Sequence, residues 1–159
     1  MADAIDEYFI ENFPEWDYKP SPHDWRQLGE FNKLAKQFSW PQDRRTTQLE
    51  KLKACWQLAM EEEFAGDTLD HFQTLCQDLG ISPIPDTVNK CRTALSGVFV
   101  NIVDLVQYRR DKRAGGNPKP VTLFHTREEL VEYTRSTGRF YPTENARAAM
   151  LRVLLVMGQ

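Results

Sequence analysis

The chain has 159 residues, 41% of them hydrophobic and 27% charged, with a net charge of −3. That balance excludes a disordered tract, and a chain of this size buries roughly 70% of its unfolded surface, enough for one hydrophobic core. No apolar run approaches the roughly 18 residues of a membrane span, and the acidic start MADAIDEYF lacks the basic and apolar regions of a secretion signal.

The charge is unevenly spread. Residues 1–30 carry −6, residues 31–89 carry −3 and residues 90–159 carry +6. Such polarity points either to complementarity between the ends of the chain or to a basic face for an acidic partner. Three cysteines, Cys55, Cys76 and Cys91, lie in apolar helical patterns. An odd number without a secretion signal reads as reduced core thiols, so an intracellular protein, cytoplasmic or nuclear, is expected.

In chain order, Ala4 to Phe13 predicts a short helix with Ile5, Tyr8, Phe9 and Phe13 on one face, stopped by Pro14. PEWDYKPSP is then an extended arm that lays Trp16 and Tyr18 over the core. Ser21, Pro22 and Asp24 read as a capped helix start, followed by Trp25, Leu28, Phe31, Leu34, Ala35 and Phe38 at helical spacing. A long helix from Asp43 to about Phe64 carries Leu49, Leu52, Trp56, Leu58 and Ala59. Beyond Gly66, Asp67 or Thr68 caps a shorter helix that Gly80 closes.

The stretch Val88 to Val106 is the most apolar of the middle of the chain. Its β-branched residues raise a strand alternative. Polar Asn101, Asp104 and Gln107 recur every three residues, so helix is expected across Val98–Val106, with Gly97 splitting or kinking the stretch. RRDKRAGGNPKP, residues 109–120, reads as a basic surface loop. Val121 to Phe124 is a short extended piece, and Thr126 with Glu129 forms a capping box for a helix ended by Gly138. Pro142 or Thr143 starts a last helix through Met157.

These elements predict an all-α fold: one domain over 1–159, an irregular or orthogonal bundle of about seven helices with an extended aromatic N-terminal arm. The segments FPEWDYKPS, LCQDLGISPIP, VNIVDLV and ELVEYTRSTGRFYP resemble a family of small helical proteins of filamentous fungi. No activity is attached to that family, so the resemblance implies no site residue.

Four features carry candidate chemistry. Arg109, Arg110, Lys112, Arg113 and Lys119 put five positive charges beside a Gly-rich turn, a pattern able to hold phosphates. The competing reading is a solvated loop whose cations meet the acidic part of the chain. The C-terminal helix, with Val153, Leu154 and Met157, is either a central helix or a surface for a partner protein or a second copy. Trp16, Tyr18 and Trp25 form either a ligand groove or an internal clasp. Asn101 and Asp104 are polar groups in an apolar segment, and burial would require hydrogen-bond partners for them.

His23, His71 and His125 lack the ligand spacing of a zinc site, and no nucleotide-binding or nucleophile fingerprint is present, so neither metal nor cofactor is expected. The leading expectation is a non-enzymatic protein–protein interaction or adaptor domain. Its partner is another protein or a second copy, with no membrane. Association with nucleic acid through the basic cluster together with Arg127, Arg135 and Arg139 is the second reading, and an enzyme built around Asp104 the third.

Overall fold

The computed structural model describes residues 3–141 and 146–158, with side chains of the last helix described through Leu155. Among the described residues there are eight helices and one two-stranded ladder of two residues per strand, so the fold is all-α. The chain forms two compact units, Met1–Met60 and Glu61–Gln159.

In the first unit, α1 (Ala4–Asn12) starts at Asp3, whose carboxylate accepts the N–H groups of Ile5 (3.0 Å) and Asp6 (2.9 Å). The Asp6 carboxylate reaches back to the N–H of Asp3 at 3.3 Å. This reciprocal cap satisfies donors that a helix start leaves open. Ile5, Tyr8, Phe9 and Phe13 are buried, as their spacing predicts. Full burial of a phenylalanine such as Phe9 contributes about 2–3 kcal/mol.

The arm folds back over α1. The ring of Tyr18 stacks on Phe9 at 4.5 Å, and its hydroxyl donates to Asp6 Oδ1 at 2.7 Å. Side chains satisfy the arm's backbone. Glu30 accepts the N–H of Lys19 (2.9 Å), while Gln27 accepts the N–H of Ser21 (2.7 Å) and donates to its carbonyl (2.8 Å).

The helix expected from Ser21 starts later: α2 spans Leu28–Gln37. Residues 21–27 form turns in which Ser21 Oγ accepts from His23 N–H (3.2 Å) and Asp24 accepts from Arg26 N–H (3.1 Å) and Leu28 N–H (3.3 Å). Short polar side chains compete for local backbone donors in this way, which displaces a helix. Gln27 lies at φ 55, a left-handed backbone that a helix cannot pass through.

At its other end α2 closes with the hydrogen bonds of a left-handed stop. Trp40 N–H donates to Ala35 O at 3.0 Å and Ser39 N–H to Lys36 O at 3.1 Å. The left-handed position belongs to Ser39, at φ 51, where glycine is usual. α3 (Gln42–Glu63) follows Pro41. Its Trp56 donates from Nε1 to the carbonyl of Arg26 at 2.8 Å, beneath the Arg26 guanidinium. Leu58, expected on the apolar side, is 59% exposed.

In the second unit, α4 (Leu69–Asp78) is capped by Thr68 and closed by Gly80 at φ 73, with Ile81 N–H on Cys76 O at 3.0 Å. α5 (Val88–Ser96) packs against α4 and against α8 (Ala149–Gly158). The helix expected over Val98–Val106 is interrupted: Phe99–Val100 form β1, and α6 spans Ile102–Arg113. Gly97 ends α5, and Asn101 caps α6 by accepting the N–H of Asp104 at 3.1 Å. Asn101, the first of the polar residues at three-residue spacing, therefore marks a helix start.

β1 pairs antiparallel with β2 (Leu123–Phe124), with Phe99 opposite Phe124 and Val100 opposite Leu123. α7 (Arg127–Thr137) begins at Thr126 and stops at Gly138, which has φ 68. β1 lies against α7 and α8. The expected start of the last helix at Pro142 or Thr143 lies outside the described residues.

Two substitutions test the left-handed stops. Ser39→Gly is expected to raise the unfolding free energy by roughly 0.5–1 kcal/mol through relief of backbone strain. Gly80→Ala, with open space around an added Cβ, is expected to lower it by about 1 kcal/mol through strain alone. Urea titrations measure both, and a destabilised Ser39→Gly protein contradicts this account.

Candidate functional site

The basic cluster is helix, not loop. Arg109, Arg110, Lys112 and Arg113 lie on the last turns of α6. Ala114 to Gly116 close that helix, with Gly116 N–H on Asp111 O (2.9 Å) and Gly115, at φ 89, on Lys112 O (3.1 Å). Glycines that seem to open a loop are the stop signal of the helix. Only Lys119 lies in the segment beyond, where it is exposed.

Three of these cations face two buried acids. Arg113 grips Glu63 with two hydrogen bonds, at 2.8 and 2.9 Å. Arg109 approaches Glu63 at 3.4 Å and Asp78 at 3.7 Å, with its guanidinium over the ring of Phe64. Lys112 donates to Asp78 at 2.8 Å. The side chains of Glu63 and Asp78 are each 3% exposed. The Asp78 hydrogen bond holds the Lys112 ammonium above its usual range, and the Glu63 bond does the same for Arg113. The cluster thus serves first as the counter-charge of two acids enclosed in the fold.

Glu61, two residues before Glu63, also has structural work. Glu61 accepts the N–H groups of Arg147 (2.8 Å) and Ala148 (2.7 Å) at the start of α8, where a helix terminus favours negative charge. His71 completes the Thr68 cap. Among the described residues no group of histidine, cysteine or acidic side chains is arranged to hold a metal ion.

The other predicted contact residues are dispersed. Trp25 and Leu154 are interior, at 3% and 2% exposure, and therefore offer no outer surface. Val153, Trp16 and Tyr18 are half-buried, and the side chain of Met157 lies outside the described residues. Tyr18 is committed to Phe9 and Asp6 as the clasp of the arm. A groove of the first unit, about 340 Å³, is lined instead by Asn12, Phe13, Glu15, Phe38, Trp40 and Arg44.

Asn101 and Asp104 build the more organised site. Asn101 is 1% exposed. Besides capping α6, its Nδ2 donates to Thr134 Oγ1 (3.2 Å) and to the carbonyl of Arg139 (3.1 Å), fixing the end of α7. One turn on, the Asp104 carboxylate accepts a short hydrogen bond from the hydroxyl of Tyr133 and pairs with Arg139 at 3.2 Å. The ring of Tyr133 is thereby held against Phe124 of β2, with centroids 5.0 Å apart and planes at 43°.

This aromatic corner floors a groove of about 590 Å³ whose remaining lining is Glu128, Glu129, Glu132 and Ser136. Glu128, Glu132 and Ser136 follow one another at four-residue spacing on α7, with Glu129 and Tyr133 as the adjacent stripe. Glu129 accepts the N–H of His125 at 3.0 Å. Glu128 and Glu132 are exposed and form no ion pair among the described residues. Sequence reasoning picked out Asp104 but not the groove. The acidic stripe was legible in EELVEYTRS, whereas the approach of Phe124 depends on the β1–β2 pairing.

Burial, and next the hydrogen bond to Asp104, push the Tyr133 hydroxyl up to about 12. It remains a proton donor across the physiological range and is no general base there. The arrangement therefore presents at this corner a neutral aromatic hydroxyl fixed by Asp104. No protein-family model, curated protein or solved structure matches the chain. Among the described residues no helix is long and apolar enough to cross a membrane.

Three outcomes are expected. Asn101→Ala, which removes a cap and two buried bonds, should cost about 2–3 kcal/mol in urea unfolding. Glu63→Ala, which strands Arg109 and Arg113, should cost about 3 kcal/mol or more. Tyr133 favours its neutral form in the fold, so its contribution is whole below the unfolded value of about 10 and is lost as pH rises toward 12. Tyr133→Phe should therefore flatten part of the alkaline loss of stability measured by denaturation at each pH.

Proposed function

We propose that this protein is a non-catalytic binding module that recognises another protein through the groove between β2 and α7. One observation carries this reading: the aromatic corner of Phe124 and Tyr133 is fixed by the Asp104 and Arg139 network while its outer face stays open. Rigid aromatic side chains already held in place lose little entropy on binding, and such residues dominate recognition surfaces. The polar groups behind the corner are occupied in holding it, which favours gripping over chemistry.

The basic cluster is the weaker candidate for partner binding. Arg109, Lys112 and Arg113 are engaged with Glu63 and Asp78, and contacts to phosphates would have to compete with those pairs. An intracellular setting belongs to the same proposal and fits three unpaired cysteines, two of them buried. Kinship with the small helical proteins of filamentous fungi is also part of the proposal, on the strength of the four landmark segments.

Affinity capture from the native cell with wild-type protein, Phe124→Ala and Trp16→Ala tests the reading. One protein, identified by mass spectrometry, should be retained by the wild type and by Trp16→Ala. Phe124→Ala should retain at least about tenfold less of it, the loss expected on removing an aromatic anchor. Equal retention by all three sinks the groove as the recognition site. Sedimentation at several concentrations separates a foreign partner from a second copy of the chain.

A further inference from the structure

Building on the groove as the recognition site, we infer that its occupant is a basic segment of a partner protein, bound by a lysine or arginine side chain laid against the Phe124–Tyr133 corner among the carboxylates of Glu128, Glu129 and Glu132. Three features of the groove select that chemistry over others.

The first is the pair of rings. An aromatic face carries negative electrostatic potential, and a cation within about 6 Å of it is attracted, more strongly where water is displaced. Two rings inclined at 43° with centroids 5.0 Å apart line the groove side by side. Tyr133 keeps its ring oriented because its hydroxyl is tied to Asp104. The same rings offer an apolar surface for the methylene stem of a lysine or arginine, which packs along apolar walls while its head stays polar.

The second is uncommitted charge. Elsewhere in this unit the enclosed acids are matched: Glu63 and Asp78 by the cations of α6, and Asp104 by Arg139. Glu128 and Glu132 have no such partner among the described residues. Glu129 spends one oxygen on a backbone N–H, which fixes the carboxylate without neutralising it. Three like charges on two adjacent turns repel one another, and a bound cation relieves that repulsion.

The third is the lack, among the described residues, of any cation in the lining, which consists of Phe124, the three glutamates, Tyr133 and Ser136. An acidic segment, a nucleic acid or an anionic lipid surface would meet carboxylates with nothing to offset them. A purely apolar segment would cover exposed carboxylates without pairing them, at a desolvation cost.

Titration of isotopically labelled protein with short peptides of equal length tests this by NMR. One peptide carries lysine and arginine spaced by glycine and alanine, a second replaces each with glutamine or norleucine, and a third replaces each with glutamate. The basic peptide should shift the backbone signals of β2 and α7, weakly, with a dissociation constant on the order of 100 μM. Binding should weaken at least about threefold between low and high salt, as contacts among exposed charges do. Glu128→Gln with Glu132→Gln should weaken it about three- to tenfold. These two surface changes leave the aromatic core untouched, so the test survives even if Phe124→Ala unfolds the ladder.

Equal affinity of the basic peptide for wild type and the double variant overturns the inference. Groove signals that move only with the norleucine peptide, at all salt concentrations, overturn the cation preference but leave the groove as a recognition site. If no peptide moves those signals, both the inference and the recognition reading fail.

Discussion

The second unit depends on one buried amide. Asn101 sits where an extended pair of residues becomes a helix, and its side chain works in both directions. Its oxygen caps α6, and its nitrogen holds Thr134 and the carbonyl of Arg139 at the end of α7. A buried amide must have its hydrogen bonds met, so this residue admits few other arrangements of α6 and α7. The ion pair of Asp104 with Arg139 and the orientation of Tyr133 follow from that placement. An aliphatic residue at 101 can supply volume but not this junction.

Electrostatics in the same unit are settled internally at one end and left open at the other. On α6 the cations lean onto Glu63 and Asp78, and the guanidinium of Arg109 lies over the ring of Phe64. On α7 the acids of the groove are exposed, and among the described residues that lining holds no cation. Net charge along the sequence concealed this division. The basic stretch 90–159 contains both cations paired with buried acids and glutamates with no ion pair among the described residues, because charge counts carry no information on which side chains meet.

Much of the fold was legible in the sequence wherever the signal was local. Helical spacing identified Ile5, Tyr8, Phe9 and Phe13 as one buried face, Thr126 was a recognisable cap, and of the two caps open to α4, Asp67 or Thr68, the structure uses Thr68. What escaped was decided by competition. Ser21 and Asp24 have the chemistry of a cap, yet they bond within a turn, and Gln27 enters the left-handed region to meet Ser21. Val98 to Val100 have the apolar character of a helix interior, yet Gly97 and Asn101 enclose too few residues for one, and pairing with Leu123 and Phe124 draws them out. The candidate site was half visible: Asp104 was conspicuous as a polar residue among apolar ones, but its partners lie about thirty residues away and no pattern linked them.

The ends of α2 have a consequence for how the first unit breathes. This ten-residue helix is bounded by Gln27 at φ 55 and Ser39 at φ 51, two residues whose side chains resist that backbone. A short helix has little cohesion of its own, so α2 persists because Phe31, Leu34 and Ala35 are enclosed by their surroundings. Opening this segment releases strain at both boundaries. Its amides are therefore set to exchange with solvent through a partial excursion well below global unfolding, taking with them the arm that Gln27 and Glu30 hold in place.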